Sequence, residues 1–199
     1  MVDEMQFSGV KLYRERQGVI MRKYINAFDY AGDIIKALDN GLLLTVKAND
    51  KVNTMTIGWG HIGIEWGKPI FVAYVRENRY TKGMLDEALE FTVNVPVGEY
   101  DKKILGFCGS KSARDVDKIK ALNLTLVEGE KVDTPAIKEL PLTLECKIVY
   151  RQKQELSDIP KDIKDRYYPA NVDGLYYGAN KDVHTVYYGE IVNSYVIEG

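Results

Sequence analysis

Asn53-Thr-Met-Thr-Ile-Gly-Trp-Gly60 follows an apolar run, Leu42 to Ala48, from which Asn49-Asp50 turns the chain back. Met55, Ile57 and Trp59 alternate with Thr54, Thr56 and Gly58, the period of an extended strand with one face buried. Eight residues thus carry two hydroxyls, one amide, one thioether and one large aromatic. A strand edge with small polar residues and exposed amides suits a flat, polar-rimmed ring system. Trp59 has two readings, a wall for such a ring or filler for the core, and its alternation with Met55 and Ile57 favours the core.

The elements around this stretch point to a mainly β chain. Ala31, Ile34, Ile35 and Leu38 follow the i, i+3, i+4, i+7 spacing of an amphipathic helix, stopped by Asp39-Asn-Gly41, with Gly41 suited to a left-handed cap. Gly67-Lys-Pro69 is a turn before a strand, Ile70 to Val75. Thr81 is suited to cap a helix with Met84, Leu85, Ala88 and Leu89 on one face. Phe91 to Val95 reads as strand and ends at Pro96. Helices are expected over Tyr100–Leu105 and Val116–Leu122. Leu142, Leu144, Cys146, Ile148 and Tyr150 alternate, which predicts a strand with one wet face. A long last strand covers Thr185 to Ile197, bending at Gly189. Arg151 to Gly178, with Pro160, Pro169, Gly174 and Gly178, reads as a long loop with one short helix. This order lacks the regular strand–helix alternation of a doubly wound sheet. An antiparallel, partly closed barrel with a few peripheral helices fits better.

The 199 residues, 45% of them hydrophobic, suit one domain with a sizeable core. A formal net charge of −2 exerts no long-range pull on nucleic acid or anionic lipid. No apolar run approaches the ~20 residues of a membrane helix. Met1 to Gly9 holds acids and no hydrophobic signal region, so a reducing cytoplasm is the expected location. Cys108 and Cys146 form no Cys-x-x-Cys pair, and with only His61 and His184 they make no zinc set.

Four pieces bear on chemistry. Gly58-Trp-Gly60-His-Ile-Gly63 matches G-x-G-x-x-G, but that string holds a pyrophosphate only where a strand feeds a helix. Gly67 and Pro69 oppose a helix here, so the dinucleotide reading is rejected; the glycines permit twist and close approach of a ligand. Arg79-Tyr80-Thr81 sets a guanidinium before a helix start. This is either an anion site or an ordinary threonine cap beside a solvated arginine. Gly109-Ser-Lys-Ser112 offers two hydroxyls and a lysine in a glycine-initiated loop, a second anion site. The following Arg114-Asp-Val-Asp-Lys118 is mixed in sign and reads as a self-paired surface. Cys108 reads as a buried, inert thiol rather than a reactive one. His184 opens the last strand, either beside a ligand or simply satisfied by backbone.

These pieces, in this order over Ala27 to Val196, resemble the flavin reductase-like, FMN-binding split-barrel family in its flavoredoxin branch. The family carries a similar Cys-Gly-Ser-x-Ser-Gly-Arg-Asp-Val-Asp-Lys string, from which this chain departs with Ala113 for Gly. If that position needs positive φ, alanine there is costly. The resemblance implies an antiparallel Greek-key split β-barrel over residues 1–199, with an N-terminal extension of about residues 1–26. It implies FMN held by Asn53, Thr54, Met55, Thr56, Trp59, Arg79, Tyr80, Thr81, Ser110, Lys111 and Ser112. Arg79, Thr81 and the 110–112 hydroxyls and lysine would take the phosphate. His184 would face the flavin and orient a donor. The implied activity is an NAD(P)H-dependent flavin reductase, with NADH or NADPH or a redox protein as electron donor and a homodimer that places FMN near its interface. A flavoredoxin-type carrier without turnover, and a barrel that has lost its cofactor, are the alternatives.

Overall fold

The computed structural model describes residues 5–7, 10–15, 18–170 and 182–198, with side chains from residue 20 onward. Three strands open the chain, β1 (Met5–Phe7), β2 (Val10–Glu15) and β3 (Gly18–Tyr24), followed by α1 (Ala31–Leu38). Two hairpins come next: β4 (Leu42–Ala48) with β5 (Lys51–Ile57), and β6 (Gly60–Glu65) with β7 (Lys68–Arg76). Then come α2 (Tyr80–Ala88), β8 (Glu90–Val95), α3 (Lys103–Ser110) and α4 (Lys118–Ala121). Short β9 (Leu126–Val127) and β10 (Ala136–Ile137) precede β11 (Leu142–Lys153), α5 (Lys161–Tyr167) and β12 (His184–Glu198). Every strand pair is antiparallel, and the main sheet runs β1-β2-β3-β12-β11-β8-β4-β5, with β7 on β12 and β6 on β7. The expected antiparallel barrel with peripheral helices is what the chain forms. The glycine-rich Gly60–Glu65 is strand, with no helix after it.

Local chemistry accounts for both hairpins. Asn49 and Asp50 have φ of 47° and 59°, as a two-residue turn between right-twisted strands requires, and both side chains tolerate that conformation. Trp66 and Gly67 repeat it at 52° and 71°. Strand β12 organises the closure. His184–Glu190 pairs with β7 along one edge, and from Tyr195 to Glu198 that role passes to β3, while β11 holds the other edge. Residues 18–24, read as extension, thus continue the sheet.

The core lies between Leu42, Leu44 and Val46 of β4, Phe91, Val93 and Val95 of β8, Leu142 and Leu144 of β11, Phe71 and Tyr187. Ile34 and Leu38 of α1 seal it, while Ile35 of the same helical stripe stays 55% exposed. Leu89 is also turned out, in the left-handed position that ends α2. Gly189 is needed for room. A Cβ there would lie 2.5 Å from Phe91 Cζ and 2.9 Å from Cys146 Cβ. Gly189→Ala is therefore expected to cost about 1–3 kcal/mol of overpacking, read as a lower urea midpoint at unchanged slope. An unchanged midpoint would mean that the bend, not the space, selects glycine.

Two expectations change. Strand β11 has no wet face over its first half, because Thr143 and Glu145 are as buried as Leu142 and Leu144. The segment 127–140 crosses that face. Glu145 accepts from the amides of Glu130 and Lys131 at 2.9 and 2.7 Å, and Asn94 Nδ2 donates to the carbonyls of Ile137 and Leu140 at 3.2 and 3.1 Å. Buried polar side chains are retained because each finds a backbone partner. Second, Arg151–Lys153 is not loop but the end of β11, followed by a single 3-10 turn and α5. The rest of that stretch, 171–178, lies outside the described residues.

Candidate functional site

Strand β5 ends the sheet path, so one of its edges has no strand partner among the described residues. The two-residue turn sets the register: Ala48 faces Lys51, Val46 faces Asn53 and Leu44 faces Met55. In such a hairpin these pairs exchange both backbone bonds. The amides of Thr54 and Thr56 therefore point to the open edge, where no described residue bonds them. Their hydroxyls do not. Thr54 is fully buried and is bonded to Thr45 Oγ1 at 3.0 Å and to the Leu44 carbonyl at 3.3 Å. Thr56 Oγ1 donates to the Leu105 carbonyl at 2.6 Å, which ties α3 to β5. Gly109 allows that approach, since a Cβ there would sit 3.3 Å from Thr56 Cβ. The hydroxyl-bearing face is thus a seat for α3, and the backbone edge is what remains free.

Asn53 and Met55 face the other way, into a cavity of about 80 Å³ closed by the start of α2, the end of α3 and the 111–118 loop. Arg79, Tyr80, Thr81, Cys108, Lys111, Ser112, Arg114 and Lys118 complete its lining. Thr81 is not the cap of α2: Arg79 holds that position, without a side-chain cap bond. Thr81 lies inside the first turn, 2% exposed, and its hydroxyl accepts from Asn53 Nδ2 at 2.8 Å. Arg79 Nη1 reaches the Gly109 carbonyl at 3.3 Å, joining the two helix ends across the cavity. Tyr80 lies under two cations, with the Lys51 ammonium 4.5 Å and the Arg114 guanidinium 5.7 Å from its ring centre. Ala113 is absent from the positive-φ positions, so alanine for glycine brings no strain to this loop.

A second cavity, of about 370 Å³, shares Arg79 with the first. Thr56, Gly58, Trp59, Tyr74, Arg76, Gly109, Tyr167 and His184 line it. Trp59 is 40% exposed and packs edge-on against Tyr167 at 5.3 Å, so it walls this cavity rather than filling the core. It left the alternation because β5 ends at Ile57 and the chain swings into β6. His184 is buried, 4.8 Å from the Trp59 ring centre, with Nδ1 2.9 Å from the Tyr168 hydroxyl. Burial and the nearby charges of Arg76 and Arg79 hold its pKa down to about 3, so the ring is neutral at ordinary pH.

In the sequence Lys118 closes a run of mixed charge that reads as a self-paired surface. The structure buries it to 4% exposure in the small cavity, donating to the Cys108 carbonyl at 3.2 Å, and among the described residues no carboxylate pairs with it. Burial, with some repulsion from Arg79, lowers its pKa to about 8. Asp117 beside it turns away to cap α4 through the Lys120 amide. Cys108 is buried and pushed up to about 11, an inert thiol as expected. Because Lys118 binds its proton less well folded than unfolded, its own contribution to the stability of the ligand-free protein should rise as pH climbs from about 8 toward 10.5, while the buried Cys108 thiol, pushed up to about 11, contributes in the opposite sense at the upper end of that range. The increment is about 3 kcal/mol. Lys118→Met should abolish that rise relative to the parent in urea titrations at pH 7.5 and 10. Parallel pH curves for the two proteins would place the ammonium in solvent.

Of the residues singled out in the sequence, Asn53, Met55, Arg79, Tyr80, Thr81, Lys111 and Ser112 come together around the small cavity. Thr56, Trp59, Arg79 and His184 come together around the larger. Thr54 reaches the site only through its amide. Ser110 lines neither cavity and donates its hydroxyl back to the Gly106 carbonyl at 2.8 Å. Lys118, Arg76, Tyr74 and Tyr167 join the site without a sequence signal that distinguished them from structural residues. Among the described residues no group of His, Cys, Asp and Glu could hold a metal, and no helix is long and apolar enough to cross a membrane.

The family model for the flavin reductase like domain matches residues 41–199, which includes both cavities. The chain belongs to this family. Solved structures agree with the assignment of this flavin reductase-like chain. The flavoredoxin of Desulfovibrio vulgaris (Miyazaki F) is 25% identical, over 78% of this chain and 68% of that one, with a TM-score of 0.58. A flavoredoxin from Methanosarcina acetivorans is also 25% identical, over 78% and 67% of the two chains, with a TM-score of 0.55. The FMN-binding domain of a flavin reductases-like enzyme from Shewanella baltica, 15% identical over 89% and 76% with a TM-score of 0.56, shares the fold. Among curated proteins, an uncharacterized protein of Archaeoglobus fulgidus is 35% identical over 106 residues, 53% of this chain and 59% of that protein. The match thus spans less than two thirds of that relative's length.

Proposed function

We propose that this chain binds FMN and works as an NAD(P)H-dependent flavin reductase. The observation that carries this reading is the pair of cavities joined at Arg79, one small and cationic, the other larger and walled by aromatic rings. The donor set fits the cofactor. About 80 Å³ is room for two or three waters at about 30 Å³ each, the size class of a phosphate group. A buried ammonium without a carboxylate is stabilised by an anion entering beside it. The larger cavity, about 370 Å³, lies in the ordinary range for small-molecule sites. Arg79, Lys118 and Lys111 would hold the phosphate as cations, with Thr81 and Ser112 as hydroxyls. The open-edge amides of Thr54 and Thr56 would meet the polar rim of the ring. When bound, the flavin supplies hydride acceptance and electron storage.

The chain's own residues then have positional work. Trp59 and Tyr74 exclude water from the larger cavity. Arg76, whose guanidinium lies 5.8 Å from the Trp59 ring centre and is braced by the Asp182 carbonyl at 2.7 Å, keeps positive charge at its wall. His184, neutral, accepts or donates a hydrogen bond without exchanging a net proton. Likeness to two flavoredoxins favours a second reading, an electron carrier that holds FMN without turnover of its own. A homodimer belongs to either reading, and sedimentation of the flavin-loaded protein as a monomer at micromolar concentration would count against it.

The visible spectrum of protein mixed with FMN and desalted tests the cofactor. Anaerobic addition of NADH, NADPH or reduced ferredoxin then separates the readings. Bleaching by a nicotinamide, with repeated turnover in air, is the reductase. Bleaching by ferredoxin alone is the carrier. Failure to retain FMN sinks both and leaves a barrel without its cofactor.

A further inference from the structure

His184 sits between two side chains that decide which of its nitrogens carries the proton. Its Nδ1 lies 2.9 Å from the Tyr168 hydroxyl, and that hydroxyl also lies 2.9 Å from Gln154 Oε1. The orientation of the Gln154 amide is set independently, because the same Oε1 accepts from the backbone N–H of His184 at 3.4 Å. An N–H facing the amide's NH2 end would bring two donors together. The Gln154 backbone, bonded through its own N–H to the His184 carbonyl at 2.9 Å, keeps the two residues in register.

The proton count follows. An amide oxygen only accepts, and one phenol has one proton. If Tyr168 gave that proton to Nδ1, its oxygen and Oε1 would face each other at 2.9 Å with lone pairs alone. Tyr168 therefore donates to Gln154, and Nδ1–H donates to Tyr168. A neutral imidazole then has a bare Nε2. No described residue bonds Nε2, although the side chain is only 5% exposed and lines the larger cavity. The guanidinium-bearing Arg76 and Arg79 line the same cavity, and their positive charge favours a lone pair over an N–H there.

We propose that Gln154 and Tyr168 lock His184 as the Nδ1–H tautomer, so that Nε2 accepts a hydrogen bond from an amide-type N–H of the ligand in the larger cavity. The sources of such a donor are the carboxamide of a nicotinamide and the imide of a flavin ring. The ligand half rests on the function proposed above; the tautomer half does not. Gln154 and Tyr168 act through His184 and are positioning residues.

Long-range 15N–1H correlation on flavin-free protein labelled at histidine reads the tautomer directly. A pyrrole-type Nδ1 and pyridine-type Nε2 are expected for His184, and the reverse pattern overturns the proposal. Gln154→Leu should release the Tyr168 proton to Nδ1 and move the ring toward Nε2–H, whereas Gln154→Glu keeps an acceptor and keeps the pattern. With FMN loaded, reduction by NADH should exceed reduction by its 3-acetylpyridine analogue, which lacks the N–H, several-fold, and Gln154→Leu should erase the difference. If the donor is the flavin imide, the NADH-to-analogue ratio is unchanged and Gln154→Leu instead weakens FMN several-fold. A ratio and an FMN affinity both untouched by Gln154→Leu overturn the ligand half. No reduction by either nucleotide, with the expected tautomer present, removes the reductase reading and leaves the tautomer standing.

Discussion

His184→Ala is expected to keep FMN and to slow its reduction by NADH or NADPH by about a hundredfold. The side chain contributes nothing to the cationic cavity, so Arg79, Lys118 and Thr81, proposed above to hold the phosphate, keep their places after its loss. What disappears is a fixed ring at the wall of the larger cavity, held by Tyr168 and packed on Trp59. Hydride transfer needs donor and acceptor aligned at close range, and misplacement by about an ångström costs on the order of a hundredfold. The effect should be flat with pH from 5 to 8, because a group held down to about 3 does not titrate there. Stopped-flow reduction of FMN-loaded variant and parent decides the matter. An unchanged rate at unchanged stability removes His184 from the site. Loss of flavin together with stability makes it a structural residue of β12.

Arg79→Ala should weaken FMN by roughly ten- to a hundredfold and riboflavin far less. A charge-assisted hydrogen bond is worth about 1.5–3 kcal/mol, and riboflavin has no phosphate to receive it. Arg79 also clasps the end of α3 through the Gly109 carbonyl, so a small loss common to both ligands is expected. The ratio of the two losses, measured by fluorescence titration, is therefore the readout. Thr81→Val should act in the same direction but less, since it removes a neutral hydroxyl and leaves Asn53 Nδ2 without its acceptor. Equal losses for FMN and riboflavin would move the phosphate away from Arg79.

How far the site was legible depends on how local its causes are. The Asn49-Asp50 turn and the strands on either side were readable, because turn conformation and period-two burial are properties of adjacent residues. The free edge of β5 follows from that register together with its terminal place in the sheet. Lys118 was not readable. Its neighbours in sequence, Asp115 and Asp117, suggested pairing, yet Asp117 caps α4 and the ammonium points inward to the Cys108 carbonyl. Ser110 erred in the opposite sense: a hydroxyl next to a glycine reads as an anion donor, but the last turn of α3 takes it.

Periodicity, turn residues and spacing act within a few residues, and they suffice for a mainly antiparallel β-chain, its helix α1, its long last strand and the cluster Arg79 to Thr81. Which surfaces those elements offer follows from the packing of one against another. Trp59 became a cavity wall because β5 stops two residues before it. Thr143 and Glu145 went inside because residues 127–140, which lead into β11, fold back across it. Gln154, Tyr168 and His184 met because β11 pairs with β12 from Leu142–Val196 to Lys153–Thr185 with α5 between them in sequence. Burial, desolvation and the count of protons between facing groups depend on which segments the fold brings together, and the few-residue periods that mark strands and helices do not contain both partners.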